Sequence, residues 1–209
     1  MDKKICYIFG AGSFFDDKPT PAANDYVIAA DGGYRYTQEL GITPDLIIGD
    51  FDSLGDAPDF PNIIKLKPEK DETDLAEAVE LGIKHGCTEF RIYGGTGGKR
   101  TDHTIANLQL LAYLSCKKLH GFLYGENEIF TAITDAQISF PSSMSGYISV
   151  FAHSNACEGV TIKGLKYELD NYTLTNSIAL GVSNEFTGKE SFIKVKNGTL
   201  IIVYPKICL

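Results

Sequence analysis

The pattern of hydrophobic and polar positions divides the chain into two parts. In the first part, short β-rich runs alternate with segments in which apolar residues recur every three or four positions. The predicted strands are Ile5–Phe9, Tyr26–Ala30, Leu46–Ile48, Ile63–Leu66, Phe90–Tyr93 and Phe122–Tyr124, and helices are predicted over residues 73–85 and 102–115. Strands that alternate with helices are typical of a parallel sheet with helices packed on it, which predicts a three-layer α/β domain over residues 1–132.

The second part is predicted to be all-β. Its predicted strands are Gln137–Phe140, Tyr147–Phe151, Val160–Ile162, Leu165–Leu169, Tyr172–Thr175, Phe192–Val195 and Leu200–Val203. The dipeptides Asp170-Asn171 and Asn197-Gly198 have the composition of two-residue hairpin loops. This spacing of strands and turns predicts a smaller all-β sandwich, of jelly-roll type, over residues 133–209.

Composition and charge limit the class of protein. The 209 residues are 44% hydrophobic and 22% charged, as in ordinary globular proteins. The formal net charge of −8 argues against a nucleic-acid partner. No run approaches the roughly twenty apolar residues of a membrane span, which argues against a membrane partner. The five cysteines lack the short spacings of zinc or redox motifs, so we expect a reducing compartment, the cytoplasm.

Aspartates follow four of the predicted strands of the α/β part. They are Asp31 after the second strand, Asp50 and Asp52 after the third, Asp71 and Asp74 after the fourth, and Asp102 after the fifth. Ligands of open parallel sheets bind outside the carboxyl ends of the strands, so we expect these side chains to converge. Each aspartate has an ordinary alternative as a helix cap or a turn former. Their recurrence in four loops favours a ligand site.

Converging carboxylates favour a bound cation. Two carboxylates about 4 Å apart repel by about 1 kcal/mol in water and about 4 kcal/mol at an effective dielectric constant of 20. Oxygen ligands without clustered histidine or cysteine favour Mg²⁺ over zinc, and Mg²⁺ in such sites usually also contacts substrate phosphates. Helical spacing places Asp74 on the face of Leu75 and Ala78 that we expect to pack on the sheet, and likewise Asp102 on the face of Ile105.

The glycine-rich segment Gly94–Arg100 supplies donors for phosphate. Gly97 and Gly98 offer backbone amides, Lys99 and Arg100 offer cations, and a helix begins directly afterwards. The segment is not a P-loop, because that pattern needs serine or threonine at Arg100, and turn formation alone is the alternative interpretation. The earlier Gly10-Ala11-Gly12 lacks the third glycine of a dinucleotide-binding fingerprint.

Taken in order, six short segments resemble those of the thiamine pyrophosphokinase (thiamine diphosphokinase) family. They are Ala30-Asp31-Gly32-Gly33, Pro44-Asp45-Leu46-Ile47-Ile48-Gly49-Asp50-Phe51-Asp52-Ser53, Asp71-Glu72-Thr73-Asp74, Gly98-Lys99-Arg100-Thr101-Asp102-His103, Gly164-Leu165-Lys166-Tyr167 and Ser183-Asn184-Glu185-Phe186. The resemblance implies an α/β catalytic domain that binds the nucleotide, a β-sandwich domain that binds thiamine, and a homodimer. It also implies a Mg²⁺-dependent, in-line transfer of the diphosphate group of ATP to the hydroxyl of thiamine, with release of AMP.

The resemblance also assigns roles on the nucleotide side. The residues implied to hold Mg²⁺ and the triphosphate are Asp50, Asp52, Asp74 and Asp102. Asp31 is placed near the reacting centre, and Lys70, Thr73 and Arg100 are placed against phosphate. Either Asp31 or Asp50 accepts the proton of the thiamine hydroxyl, and the sequence does not choose between them.

On the thiamine side, the resemblance implies contacts from Tyr167, Ser183 and Asn184. Relatives from animals and yeast have tryptophan where Tyr167 stands, and this chain contains no tryptophan. Tyr167 either stacks on the thiazolium ring or packs in the core with Leu165 and Leu169, which share its face of the predicted strand. Ser183 and Asn184 either bond to the aminopyrimidine ring or form a turn.

Two other functions are compatible with parts of the sequence. The segment Asp50-Phe51-Asp52-Ser53 after a strand resembles the nucleophile motif of haloacid-dehalogenase-like phosphatases, although two predicted strands precede it and Leu54 replaces the expected threonine or valine. The other alternative is a non-catalytic dimer that senses thiamine or a nucleotide. The presence of the acids together with Arg100 argues against such a decayed site.

Overall fold

The computed structural model describes residues 3–51, 60–67, 72–98 and 100–206. Four of the predicted site residues, Asp52, Lys70, Asp71 and Lys99, lie outside the described residues. The chain has a mixed α/β fold with a large sheet and few helices. It divides into two compact units, residues 1–107 with 121–126 and residues 108–120 with 127–209. This division differs from the boundary expected after residue 132, because residues 108–120 and 127–132 group with the C-terminal strands.

The first unit contains a parallel sheet. Its strands are β1 (Ile5–Phe9), β2 (Tyr26–Ala30), β3 (Leu46–Gly49), β4 (Ile63–Lys65), β5 (Glu89–Tyr93) and β6 (His120–Tyr124), and its helices are α1 (Gly33–Glu39), α2 (Asp74–Lys84) and the first part of α3 (Thr101–Cys116). The strand order is β6-β5-β1-β2-β3-β4, and β1 to β5 pair in parallel. These strands and the two longer helices confirm the sequence predictions, whereas α1 has only 7 residues and left no periodic signal.

Helices α1 and α2 cover opposite faces of this sheet. Tyr7 and Phe9 of β1 pack in a cluster with Tyr36 of α1. Cys6, which alternates with Tyr7 along β1, faces Gly82 of α2, where an added Cβ would lie 2.8 Å from the Cys6 sulfur. Because helices cover both faces, a ligand has access to the sheet at the ends of its strands, and in open parallel sheets it binds at the carboxyl ends.

The predicted faces of the two longer helices have different outcomes. The face of α2 that follows Asp74 is buried through Leu75 and Ala78, as predicted. The face of α3 that carries Asp102 was expected to pack on the sheet, but this expectation is wrong, because Ile105 is 57% exposed. Apolar residues lie all around α3, so their spacing did not determine the buried face; Asn107 is buried instead.

Besides the last part of α3, the second unit consists of antiparallel strands around one core. They are β7 (Glu128–Thr134), β8 (Gln137–Phe140), β9 (Tyr147–Ala152), β10 (Ala156–Lys163), β11 (Leu169–Thr175), β12 (Gly181–Glu185), β13 (Ser191–Lys194) and β14 (Thr199–Pro205). Strands β12, β9, β14 and β7 lie side by side in that order, as do β11, β10, β13 and β8. Side chains from both groups, including Ile148, Val160, Ile193 and Ile202, form a shared hydrophobic core.

Three local predictions for the second unit are wrong. Residues 165–169 do not form a strand, because Leu165 makes only an isolated bridge to Phe186. Asp170-Asn171 lies inside β11 rather than in a hairpin loop. Asn197-Gly198 precedes β14, but β13 and β14 pair with different strands, so this turn carries the chain from one group of strands to the other. Among the described residues, no helix combines the length and apolar character needed to cross a membrane.

Candidate functional site

A cleft of about 310 Å³ lies at the carboxyl edge of the parallel sheet. Its walls come from the segments that follow β1, β2 and β5 and from the first turns of α2 and α3. Predicted site residues that line it are Asp31, Thr73, Asp74, Gly97, Gly98 and Arg100. Because ligands of open parallel sheets bind at this edge, we assign the cleft as the candidate active site.

The floor of the cleft is formed by two loops joined through their main chains. Gly10 N–H donates to the Tyr93 carbonyl at 2.8 Å, and Gly12 N–H donates to the Gly94 carbonyl at 2.7 Å. A Cβ on Gly12 would lie 2.6 Å from the same Gly94 oxygen, so only glycine permits this approach. Sequence reasoning missed Gly10 and Gly12 as site residues. Their position directly after an apolar strand, among small residues, was the available signal.

Asp31 reaches the cleft through an unusual backbone conformation. Its φ of 48° lies in the left-handed region, which aspartate tolerates better than most residues. Its N–H donates to the Ile48 carbonyl at 2.7 Å, and its carbonyl accepts from Tyr34 N–H at 3.2 Å. A Cβ on Gly33 would collide with the Phe9 carbonyl oxygen, so glycine is required where α1 begins against β1. These constraints account for Asp31 and Gly33 in the Asp-Gly-Gly sequence.

Asp74 and Thr73 enter the cleft at the beginning of α2. Thr73 is the N-cap of the helix, and its Oγ1 accepts a hydrogen bond from Ala76 N–H at 3.2 Å. The hydroxyl keeps its own proton for donation to a ligand. Asp74 follows as the first helical residue, where the positive end of the helix dipole favours negative charge.

Arg100 and Asp102 form an ion pair at the mouth of the site. The Arg100 Nη2 atom lies 2.7 Å from Asp102 Oδ2, and Nε lies 3.0 Å from Oδ1. These hydrogen bonds lower the pKa of the Asp102 carboxyl to about 2. Arg100 lines the cleft, whereas Asp102 does not line it and acts on the cleft only by holding the Arg100 side chain. The guanidinium is therefore held near the cleft before any ligand enters.

Of the four aspartates predicted to hold a metal ion, Asp52 lies outside the described residues, and of the other three only Asp74 lines the cleft. Asp50 follows Gly49, whose Cβ position is 3.0 Å from the Cα of Asp31, but Asp50 does not line the cleft. In the described part of the chain, no three side chains of the metal-binding types come together. Among the residues that the structure describes, Asp31 and Asp74 are the carboxylates that line the cleft. Mg²⁺ needs only one or two carboxylates beside substrate phosphates and waters, so this all-oxygen donor set fits it.

The glycine-rich loop is anchored by a residue that the sequence did not reveal. Asn107 of α3 is buried, and its Nδ2 donates to the Gly95 carbonyl at 2.7 Å. Gly97 and Gly98 follow with φ values of 70° and 73°, a conformation that glycine adopts easily, and both residues line the cleft. An asparagine on the buried side of a helix was the missed signal, since a buried amide requires partners. His103 and Thr104 also line the cleft.

In the second unit, Tyr167 is displayed on the surface. Its side chain is 62% exposed, so the core-packing alternative is wrong, while Leu165 beside it is 4% exposed. Asn184 is buried and holds the Tyr167 main chain from both sides, since Oδ1 accepts from Tyr167 N–H at 2.9 Å and Nδ2 donates to its carbonyl at 2.7 Å. Asn184 therefore positions Tyr167.

The turn alternative for Ser183 and Asn184 is also wrong, because both residues lie within β12. Pairing of β12 with β9 shifts register between Gly181 and Asn184. At this irregularity Ser183 adopts a φ of 58°, and its N–H donates to Ser149 Oγ at 3.1 Å. The backbone at Ser183 therefore departs from regular strand geometry.

Comparison with known proteins identifies relatives over nearly the whole chain. A family model described as thiamin pyrophosphokinase, catalytic domain, matches residues 20–123. A second, described as thiamin pyrophosphokinase, vitamin B1 binding domain, matches residues 135–200. The thiamine pyrophosphokinase of Bacillus subtilis (strain 168) is 27% identical over 183 residues, which cover 84% of this chain and 85% of that protein.

Solved structures agree with this assignment. The crystal structure of thiamine pyrophosphokinase from Bacillus subtilis has a TM-score of 0.84 at 25% identity, covering 98% of this chain and 99% of that one. Thiamin pyrophosphokinase from Candida albicans shares the fold, with a TM-score of 0.75 at 16% identity over 98% of this chain and 90% of that one. The chain belongs to the thiamine pyrophosphokinase family.

Proposed function

We propose that this protein transfers the diphosphate group of ATP to the hydroxyl of thiamine, forming thiamine diphosphate and AMP. The observation that carries the proposal is the cleft in which Asp31, Asp74 and Arg100 meet a glycine-rich loop, in a chain of this family. A cation and backbone amides suit a polyphosphate, and carboxylates suit the metal that accompanies it.

The two parts of the chain take different substrates in this proposal. The first unit is a three-layer α/β catalytic domain whose cleft binds ATP, with Gly97, Gly98 and Arg100 against the phosphates. The second is a β-sandwich domain of jelly-roll type that binds thiamine through the exposed ring of Tyr167, supported by Asn184 and Ser183. Lys70, Lys99 and Asp52 keep their predicted roles at phosphate and metal, outside the described residues.

The reaction is an in-line displacement at the β-phosphorus of ATP. The thiamine hydroxyl oxygen forms a bond to that phosphorus, the bond to the oxygen bridging it to the α-phosphorus breaks, and AMP leaves. Arg100 stabilises the charge on the phosphates, and the protein mainly holds the reactants in line. Asp31 accepts the hydroxyl proton, because of the two candidates it is the one that lines the cleft.

Mg²⁺ is part of the proposal as a cofactor. Asp74 would hold it, together with Asp50, Asp52 and Asp102 as the family resemblance implies. When bound, Mg²⁺ supplies positive charge that offsets the charge of the phosphates. The residues of this chain then have to exclude water and keep the nucleotide in place. The two hydrogen-bonded glycine loops after β1 and β5 are closely packed and can do both.

The proposal extends to the assembly and location of the enzyme. The family resemblance supports a homodimer, which sedimentation velocity tests directly. The cytoplasm is the proposed location, in keeping with the cysteines that are not joined in disulfides, Cys6, Cys87, Cys116 and Cys157.

The decisive experiment incubates the protein with thiamine, ATP and Mg²⁺ and measures nucleotides and thiamine diphosphate by chromatography. We expect AMP and thiamine diphosphate in equal amounts, and neither without thiamine. Formation of ADP would indicate transfer of a single phosphoryl group. Phosphate release without thiamine, with a trapped aspartyl-phosphate, would indicate the haloacid-dehalogenase-like phosphatase, and tight thiamine binding without AMP would indicate the sensor. Neither alternative is favoured by the family match.

A further inference from the structure

A buried hydroxyl in the glycine-rich loop has no part in the reaction described so far. Thr96 is 6% exposed, and its Oγ1 has no hydrogen-bond partner among the residues that the structure describes. Thr96 does not itself line the cleft, but its neighbours Gly95 and Gly97 on either side both do. Because buried hydroxyls in proteins are nearly always hydrogen-bonded, one without a partner beside a ligand cleft indicates a partner that arrives with the ligand.

The main chain around Thr96 is held firmly in place. Ser13 N–H donates to the Thr96 carbonyl at 3.0 Å, and Asn107 Nδ2 donates to the Gly95 carbonyl at 2.7 Å. These bonds tie the loop to the segment after β1 on one side and to α3 on the other. The position of the Thr96 Cβ is therefore set by the fold, while its hydroxyl changes direction by rotation about the Cα–Cβ bond between staggered states.

The residues that follow Thr96 are suited to a bound anion. Gly97 and Gly98 both line the cleft shortly before α3 begins, and the backbone N–H groups of a glycine-rich loop that leads into a helix N-terminus bind anions. Phosphate oxygens are charged acceptors, and hydrogen bonds to charged groups are stronger than those between neutral groups. A phosphate in this loop would give the adjacent Thr96 hydroxyl the acceptor that the free protein does not provide.

We propose that Thr96 is a nucleotide-binding residue whose hydroxyl donates a hydrogen bond to a phosphate oxygen of ATP. This inference rests on the proposed function and assigns one more residue to the same site. It predicts that loss of the hydroxyl lowers the affinity for nucleotide but does not lower the stability of the ligand-free protein, because the hydroxyl has no partner until nucleotide binds.

The Thr96→Val variant tests this prediction, since valine keeps the shape of threonine and removes the hydroxyl. We expect the ligand-free variant to unfold at the same temperature as the wild type or higher, because a buried hydroxyl without a partner is removed. In calorimetric titration with α,β-methylene-ATP and Mg²⁺, it should bind about tenfold to hundredfold more weakly than the wild type. Thr96→Ser, which keeps the hydroxyl, should restore binding.

Ser191 provides a matched control. Its Oγ is also buried without a hydrogen-bond partner in the described part of the chain, but it lies in the second unit, and neither of its neighbours, Glu190 and Phe192, lines the cleft. Ser191→Ala should therefore leave the affinity for the analogue unchanged and stability unchanged or higher. A change of nucleotide affinity in this variant would show that loss of any buried hydroxyl disturbs the protein generally, which overturns the argument from Thr96.

The possible outcomes distinguish this proposal from the proposed function. If the wild type releases AMP and Thr96→Val binds the analogue equally well, only the role of Thr96 is refuted. If Thr96→Val unfolds at a clearly lower temperature, the hydroxyl is structural, and the proposal is again refuted. If the wild type neither binds the analogue nor releases AMP, both proposals fail.

Discussion

Arg100 and Asp102 are joined by three hydrogen bonds, the shortest of which spans 2.7 Å between Nη2 and Oδ2. The two side chains are 66% and 64% exposed, so solvent screens their charges and the pair contributes little to stability. Its consequence is orientation. The guanidinium, a planar group with donors in a fixed fork, is held beside the cleft in a defined direction.

The first prediction concerns the titration of Asp102. Its pKa is about 2, below the ordinary 3.8, because Arg100 hydrogen-bonds to the charged carboxylate. A depressed pKa in the folded state means that the pair is complete above the ordinary value and is lost only as the pH falls through about 2. The carboxyl ¹³C resonance of Asp102 should therefore titrate near pH 2, and it should move back toward 3.8 in Arg100→Gln.

The low pKa of Asp102 also predicts that this carboxyl does not contribute to the pH dependence of turnover near neutral pH. Between about pH 5 and pH 9 Asp102 stays charged, so it contributes no pH dependence to turnover in that range. Lys166→Gln, which removes a cation paired with Glu185 in the second unit, is the control and should leave the Asp102 titration unchanged. A wild-type midpoint near 3.8 would contradict the pairing seen in the structure.

The second prediction concerns Asp74. Asp74→Asn keeps the size of the side chain but removes the charge that faces the cleft, so we expect turnover with thiamine, ATP and Mg²⁺ to fall about a hundredfold or more. Glu77→Gln is the matched control, since Glu77 is also an acid in the first turn of α2 but does not line the cleft. Equal losses in both variants would attribute the effect to the helix dipole rather than to the site.

The sequence was sufficient to predict several residues of the candidate site. Strands β1 and β2 were predicted with correct bounds because each is an apolar run that ends at a turn signal. Since the carboxyl ends of parallel strands share one edge, the same reasoning brought Asp31, Asp74 and Arg100 to a common site. These conclusions need only local patterns and one topological rule.

Other parts of the site depend on contacts between distant segments. Gly12 acquires its role because β1 pairs with β5, far away in sequence, and Asn107 because its amide meets the loop after that strand. Tyr167 was harder still. Residues 165–169 alternate like a strand, but the Asn184 amide takes the hydrogen bonds of the Tyr167 main chain and turns its ring to solvent. No local pattern reports such a partner.

The third prediction tests the close approach of α1 to β1. Gly33→Ala places a Cβ against the Phe9 carbonyl oxygen, so the helix must shift next to Asp31. We expect a loss of about 1–3 kcal/mol in the free energy of unfolding, measured with urea, even though alanine favours helices by about 1 kcal/mol. Activity should also fall in the folded fraction, because Asp31 depends on this turn.

Gly41→Ala is the control for this substitution. Gly41 has a φ of 66°, but nothing lies within 4 Å of its Cβ position. Alanine there pays only for the left-handed backbone, about 1–2 kcal/mol. A Gly33→Ala variant as stable as Gly41→Ala would show that α1 can move away from β1 without cost, which contradicts the packing described.

The fourth prediction concerns Tyr167, whose effect on stability and effect on thiamine binding can be measured separately. Because its ring is 62% exposed, Tyr167→Ala should change the free energy of unfolding by no more than about 0.5 kcal/mol. If the ring stacks on the thiazolium of thiamine, a contact of about 0.5–2 kcal/mol, the KM for thiamine should rise roughly twofold to thirtyfold, with the KM for ATP unchanged. Tyr167→Phe should retain most of the affinity.

Leu165→Ala is the matched comparison, since Leu165 belongs to the same segment but is 4% exposed and packs in the core of the second unit. Its loss should cost about 2–5 kcal/mol of stability. The two variants should therefore separate cleanly, one affecting thiamine and the other folding. An unchanged KM for thiamine in Tyr167→Ala would show that the ring does not contact thiamine, and Tyr167 would then have no place in the proposed binding site.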